Sequence, residues 1–357
     1  METKRLSGLL VTMCLILVLV VPVIAGCAPE AAGPPAEEPT EEGLPSYGTW
    51  RLGDIFSPEM PMAGLMNEWI GLLEEQSNGR INIDYFPNCQ LGDWTEIFEN
   101  IMVGTVDLGT APAVDSYDPR LGIDWAPYRF FTWDQAREAY EPGGWILTIL
   151  EDIYASNDIK LLGYPFRGFT GVSLNECPGV LPPEPCGVKI RTVPISSWKK
   201  AWETMGYLPT AIPFAEVYTS IQTGVVEGQA GGGAEQMYTL VGDIQGCWIQ
   251  TNDWMDNGTV GMNMDLWNSL HPQDQELILN SFNELVWKSG GFNDRQQELE
   301  VVWRDKALAD YGIESIILDE AQLAKCAKLV REAVWPEMEG ALGSVVYNRM
   351  LDMCPPV

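Results

Sequence analysis

The sequence predicts an α/β protein of two lobes joined by one long helix, and three observations carry that expectation. Short apolar runs with strand alternation take turns with helical stretches. Once a leader and a polar tether are set aside, about 310 residues remain, with 46% hydrophobic content over the whole chain and 14 Trp, enough to fill two cores of ordinary domain size. Towards the carboxyl end a helical periodicity runs from Pro272 to about Tyr311, which at about 1.5 Å per residue could lie across both lobes.

The elements follow in order. Lys4 and Arg5, the apolar run Leu9 to Val21 and the sequence Ile24-Ala25-Gly26-Cys27 read as a lipoprotein signal over residues 1–26, with Cys27 as the lipidation site. The apolar run falls short of the ~20 residues a spanning helix needs, and Pro22 interrupts it. Residues 27–46 are Pro, Glu, Ala and Gly with little to bury, so a disordered tether is expected. These features place the folded part outside the cytoplasm, lipid-anchored to the cell membrane on its periplasmic or cell-surface side.

From Tyr47, three strand-like runs at 47–56, 81–87 and 106–112 alternate with helical stretches near 58–78 and 92–104. Gly79, Gly104, Gly206 and Gly224 stand where helices end in a left-handed residue. Mostly parallel pairing is expected, with ligands at the carboxyl ends of strands. A fourth strand is read over 159–174 and a further one in "CGVKIRTVP", 186–194. His271-Pro272-Gln273-Asp274 starts the long helix, and Gly290-Gly291 is where it would bend. The expected lobes are 47–164 with 255–296, and 165–254 with 297–357.

The formal net charge of −29 repels nucleic acid and anionic head groups, so neither is an expected partner. Of the 8 Cys, six lie beyond Cys27: Cys89, Cys177, Cys186, Cys247, Cys326 and Cys354. An even number in an exported chain suggests disulfides, and Cys177–Cys186 across a proline-rich loop, Cys326–Cys354 and Cys89–Cys247 are the expected pairs, with free buried thiols as the alternative.

Arg191 is the centre of the functional reading. In a strand, Lys189 and Arg191 share a face, and Pro194 ends pairing, so Arg191 sits near the carboxyl end. A guanidinium there can hold a carboxylate through two parallel hydrogen bonds. An ordinary salt bridge with one of the many acids is the simpler alternative.

The surrounding stretch, 187–229, strongly resembles the signature region of TRAP transporter solute receptors, the DctP-type family. That pattern is Gly-x-Lys-x-Arg, then Met-Gly, then Pro-x-x-x-Glu-Val-Tyr-x-x-Leu/Ile-Gln-x-Gly-x-Val-Asp/Glu-Gly. Here it is carried by Gly187, Lys189, Arg191, Met205-Gly206, Pro213, Glu216-Val217-Tyr218, Ile221-Gln222, Gly224, Val226 and Glu227-Gly228. Gly79-Arg80, Tyr85-Phe86-Pro87, Gln90-Leu91-Gly92, Gly104 to Leu108 and Leu270 to Gln275 extend the resemblance over nearly the whole chain after the tether. It implies a two-lobe periplasmic-binding-protein-like fold with a hinge and a long helix bridging both lobes.

By the same resemblance, Arg191 matches the arginine that clamps the substrate carboxylate, Arg167 a second basic position, and Phe214 an aromatic packed against solute; a hinge-stabilising salt bridge is the alternative for Arg167 and plain core for Phe214. Two departures bear on the substrate. Gln229-Ala230-Gly231-Gly232-Gly233 replaces larger side chains and would enlarge the pocket or let backbone approach a ligand; Gln229 and Gly231 are therefore candidate ligand residues. Thr192 adds one residue before Pro194, which would shift the strand end. Trp94, Tyr117, Trp125, Tyr128 and Phe130 are expected near the cleft mouth, where aromatic walls would suit an acid with a ring or long apolar body.

As an enzyme the chain is poorly equipped: one His, no Gly-x-Ser-x-Gly elbow and no phosphate-cradling Gly loop. The expected function is a non-enzymatic receptor that passes a small organic acid to TRAP permease subunits driven by an ion gradient. No cofactor is expected, although the family sometimes bridges ligand and protein with a metal. The substrate lipoprotein of an ABC importer and a secreted carboxylate-dependent glycosidase are the alternatives.

Overall fold

The computed structural model describes residues 43–357 apart from 111. The expected signal peptide, Cys27 and most of the tether lie outside the described residues.

Two mixed sheets organise the chain, and the polypeptide passes between them three times. The first has the order β2-β1-β3-β10-β4, from β1 (Thr49–Asp54), β2 (Asn82–Phe86), β3 (Leu108–Thr110), β4 (Ile159–Gly163) and β10 (Val260–Asn263). The second has the order β11-β9-β5-β8-β6-β7, from β5 (Phe166–Leu174), β6 (Lys189–Thr192), β7 (Leu208–Ala211), β8 (Gly228–Gly232), β9 (Cys247–Asn257) and β11 (Glu314–Ile317). β1 pairs in parallel with β2 and β3, and β6 with β7 and β8. The strands beside the crossings, β5, β9 and β10, make the antiparallel ladders. Pairing is thus more mixed than alternation alone suggests, because each crossing strand arrives from the opposite sheet and runs back.

The first crossing splits the single strand expected over 159–174. Pro165 has no N–H to give a ladder, so pairing stops at Gly163 and resumes at Phe166 in the other sheet. The second crossing joins β9 to β10 through Gly258. The third lies in the helical stretch from Pro272 to Tyr311, which is two helices, α9 (Pro272–Trp287) and α10 (Phe292–Tyr311), broken at the expected glycines. α9 packs on the first sheet beside α1 (Pro61–Gln76), and α10 packs on the second beside α7 (Ala234–Val241). All three crossings are tied together: Gly258 N donates to Pro165 O at 2.9 Å, and Phe166 N donates to Asn293 Oδ1 at 2.8 Å.

A second bridge was not anticipated. α11 (Glu320–Met353), with a capping box at Asp319 and Gln322, packs against both α5 (Ser196–Thr204) and the 3-10 turn Pro119–Trp125. It contains Pro336 and breaks at Gly343, where φ is 73°. At α9, His271 does what its position suggested: its Nδ1 accepts from Gln273 N as N-cap. Gly79, Gly104, Gly206 and Gly224 all adopt the expected left-handed φ.

Between the sheets lies a buried polar cluster around Asp124. Its carboxylate accepts from the Tyr140 hydroxyl, from Tyr164 at 3.2 Å and from Asn257 at 3.4 Å, and pairs with Arg129 at 3.5 Å. Tyr164 and Asn257 flank the first two crossings, so this cluster fixes the root of both.

The three expected disulfides do not form. Cys177 bonds Cys247 instead, and Cys89, Cys186, Cys326 and Cys354 are free thiols. The cause is non-local: the β5–β9 register sets Leu174 opposite Cys247, so a cysteine just past the end of β5 meets the start of β9. Cys186 is drawn to the Gly206 carbonyl on the far side of its loop. The bridge spans 70 residues of sequence, a loop whose closure entropy corresponds to about 4 kcal/mol. Cys177→Ser should lower urea stability by roughly that amount, and non-reducing peptide mapping should link the 177 and 247 peptides only.

Candidate functional site

A cavity opens at the carboxyl ends of β1, β6 and β8, where helix N-termini and strand-end loops converge. Its floor comes from the crossing strands β5 and β9. The free space it leaves for water is about 40 Å³, room for a few waters at ~10–15 Å³ each.

Arg191 reaches this cavity from the end of β6, while Lys189 at the strand's start is exposed. The Arg191 side chain is 1% exposed. Its Nε donates to Ile212 O at 2.8 Å, its Nη2 has no partner, and no carboxylate pairs with it among the described residues. Burial pushes its pKa down to about 10, with Asp93 opposing. The guanidinium stays charged at neutral pH, desolvated and with an open edge.

Arg167, from β5, lines the same cavity in a very different state. Its Nη1 donates to Asp256 Oδ2 at 2.8 Å and Gln236 Oε1 at 3.3 Å, its Nη2 pairs with Glu235 Oε2 at 3.3 Å, and its Cζ lies 4.2 Å from the Phe56 ring centroid. Burial acts against its charge, but Asp256 and Glu235 more than offset that and raise its pKa. Two buried carboxylates share one cation here, so the second is held only weakly. Burial pushes Asp256 up to about 7, Arg167 opposing and Glu235 reinforcing, and burial raises Glu235 as well.

Phe214, half-buried in a short turn after β7, lines the cavity, and so does Gly231 in β8. Gly231 has φ +108°, and a Cβ there would lie 2.5 Å from the Trp198 ring. The missing side chain therefore seats Trp198 rather than enlarging the cavity. Gln229 does not reach the cavity: it is 1% exposed, opposite Arg191 in the β6–β8 register, with Gln236 Nε2 donating to its Oε1 at 3.5 Å. Despite the added Thr192, β6 ends at that residue, and Val193 beyond it still faces the cavity.

Of the five aromatics expected near the mouth, Trp94 and Trp125 line the cavity. Tyr117 stacks on Phe98 at the surface, Tyr128 is buried with its hydroxyl on Met205, and Phe130 packs on Tyr140. Sequence reasoning missed Phe56, Trp254, Asp256 and the Glu235–Gln236 pair. Phe56 follows β1 and obeys the strand-end rule already in hand. Trp254 and Asp256 sit within β9 and carried no local signal. Trp254 stacks on Trp125 with centroids 4.5 Å apart, and Trp198 stands edge-on to both. Among the described residues, no group of three His, Cys, Asp or Glu is placed to hold a metal ion.

Two α/β halves flanking a cavity that offers one open guanidinium have the architecture of a solute-binding protein. The chain belongs to the bacterial extracellular solute-binding proteins, family 7 (DctP), whose pattern matches residues 52–339. It is 27% identical over 282 residues to an uncharacterized Haemophilus influenzae protein, covering 75% of this chain and 81% of that one. It is 26% identical over 227 residues to the C4-dicarboxylate-binding periplasmic protein DctP of Rhodobacter capsulatus, covering 62% and 66%. The fold matches a TRAP periplasmic solute-binding protein from Desulfovibrio salexigens with bound orotic acid, TM-score 0.75 at 20% identity, over 85% of this chain and 97% of that one. The resemblance drawn from residues 187–229 is borne out at the level of family and fold.

Two outcomes test this geometry. Asp256 binds its proton more tightly when folded, so the cost of burying its carboxylate is absent below about pH 4, grows as pH rises, and is complete above about 7. Urea midpoints of the wild type should therefore fall between pH 5 and 7.5 relative to those of Asp256→Asn, in which Glu235 still pairs with Arg167. Gly231→Ala forces the Trp198 ring aside and should cost about 1–3 kcal/mol in the same assay.

Proposed function

We propose that this protein captures a small organic carboxylate between its two halves and delivers it to TRAP permease subunits in the membrane. The observation that carries this reading is Arg191: a buried guanidinium with one hydrogen bond, no acid partner and an open edge towards the cavity. Such a charge is unfavourable in the free protein and becomes favourable when an anion completes it. Arg167 then serves as the neutralised floor of the site, with Phe214 and Gly231 shaping its walls. The names of the relatives, a C4-dicarboxylate receptor and a receptor holding orotic acid, fit an acid as solute.

In this reading the lobes are built on the two sheets and move about the three tied crossings, at Pro165, Gly258 and the break before α10. Lipidation at Cys27 and a tether to about residue 46 would hold the receptor beside its permease.

Replacing Arg191 by Ala should weaken binding of the copurifying or cognate acid by about 3 kcal/mol or more, over 100-fold in Kd, because the anion's charge is left buried without a partner. Arg191→Met should lose binding as well, yet melt higher than the wild type when both are free of solute. Calorimetry and thermal melts read the two effects separately. Unchanged affinity in both variants would remove Arg191 from the site, and a neutral sugar found by mass spectrometry of the purified protein would defeat the carboxylate reading.

A further inference from the structure

The charge inventory of the cleft narrows the solute further, on the premise that Arg191 receives a carboxylate. We propose that the solute is a monocarboxylate with a planar aromatic body, in preference to a dicarboxylate or a sugar acid.

Among the described residues, two cationic side chains line the cavity, Arg167 and Arg191. Arg167 is already committed to Asp256 at 2.8 Å and to Glu235 at 3.3 Å. A second ligand carboxylate placed there would compete with two buried acids for one guanidinium, and like charges at that range repel strongly when desolvated. One open cation accommodates one anion.

Three further polar side chains of the lining are committed elsewhere. Gln236 accepts from Arg167 and donates to Gln229. The indole N–H of Trp125 is bonded to Ala113 O at 2.6 Å, and that of Trp254 to Asp124 O at 2.6 Å. Neither indole therefore has a free donor for a solute. A polyol chain would bring several hydroxyls into this space and leave most of them without partners, each an uncompensated desolvation.

The shape of the wall agrees with the charge. Trp125 is clamped between Trp254, stacked at 4.5 Å, and Trp94, tilted at 5.9 Å, while Trp198 supports the group from the side. Phe56 and Phe214 complete the apolar lining. Aromatic faces prefer stacked or edge-on aromatic partners. A planar body also suits a cleft that leaves only about 40 Å³ free for water.

The experiment is calorimetric titration of the whole protein, stripped of copurifying solute, with benzoate, phenylacetate and indole-3-acetate against succinate and gluconate, repeated on Arg191→Ala and Phe214→Ala. At least one arene acid should bind 10-fold or more tighter than both succinate and gluconate, lose binding in Arg191→Ala, and weaken several-fold in Phe214→Ala. Phe214 lies in a short turn at the cleft's edge, so that variant keeps the test open if Arg191→Ala folds poorly. Succinate or gluconate binding as tightly as the arene acids, with dependence on Arg191, overturns the aromatic class and leaves the carboxylate receptor standing. No heat from any of the five acids, or binding indifferent to Arg191→Ala, overturns both.

Discussion

A single buried guanidinium that the protein leaves incomplete governs this structure. Arg191 stands in β6 between β7 and β8, so its backbone is satisfied on both sides while its side chain has one carbonyl for company. The surroundings are arranged to tolerate that charge without neutralising it. Asp93 is near enough to favour the charged form, yet it is engaged as the N-cap of α2 (Trp94–Met102) and makes no ion pair with Arg191. Arg167, by contrast, carries more acid than it needs. Two arginines a short distance apart thus hold opposite electrostatic states, one satisfied and one unsatisfied. That contrast makes a directional site out of an otherwise aromatic cavity.

The unsatisfied state is useful only if the walls can separate and return. Three crossings between the sheets are bound to one another by the Gly258–Pro165 and Phe166–Asn293 hydrogen bonds, and the Asp124 cluster braces two of them from inside. The proposed closure therefore turns about a narrow waist between the two sheets. α11 adds a strap across both halves, with its own break at Gly343.

Much of this was legible in the sequence, for identifiable reasons. Strand ends, helix caps and the glycine break before α10 are local signals, and they fell where alternation and capping rules put them. Arg191, Arg167, Phe214 and Gly231 were legible because they lie in or near a compact signature block. Gln229 was misjudged, since what a strand residue meets depends on its neighbours across the sheet: it lies beside Arg191 and bonds to Gln236, which lines the cavity in its place. The disulfide was missed for the same kind of reason: the β5–β9 register, not loop length, brings Cys177 to Cys247. Trp254 and Asp256 share this blindness, being mid-strand residues whose function comes from what lies across the sheet. The run 159–174 reads as one strand by hydropathy, and Pro165 was the clue that it is two.

The surplus of acid on this chain, 50 Asp+Glu against 21 Lys+Arg, has a kinetic side. An anionic solute drifting towards Arg191 must first cross an envelope of its own sign, whose reach in solution is set by the Debye length, about 8–10 Å at moderate ionic strength. Brine shortens that reach, whereas the interior charge, sealed from counterions, keeps its pull. Dissolved salt should thus hasten arrival, the reverse of the ordinary steering of opposite charges, so that a saltier exterior suits this receptor better than a dilute one.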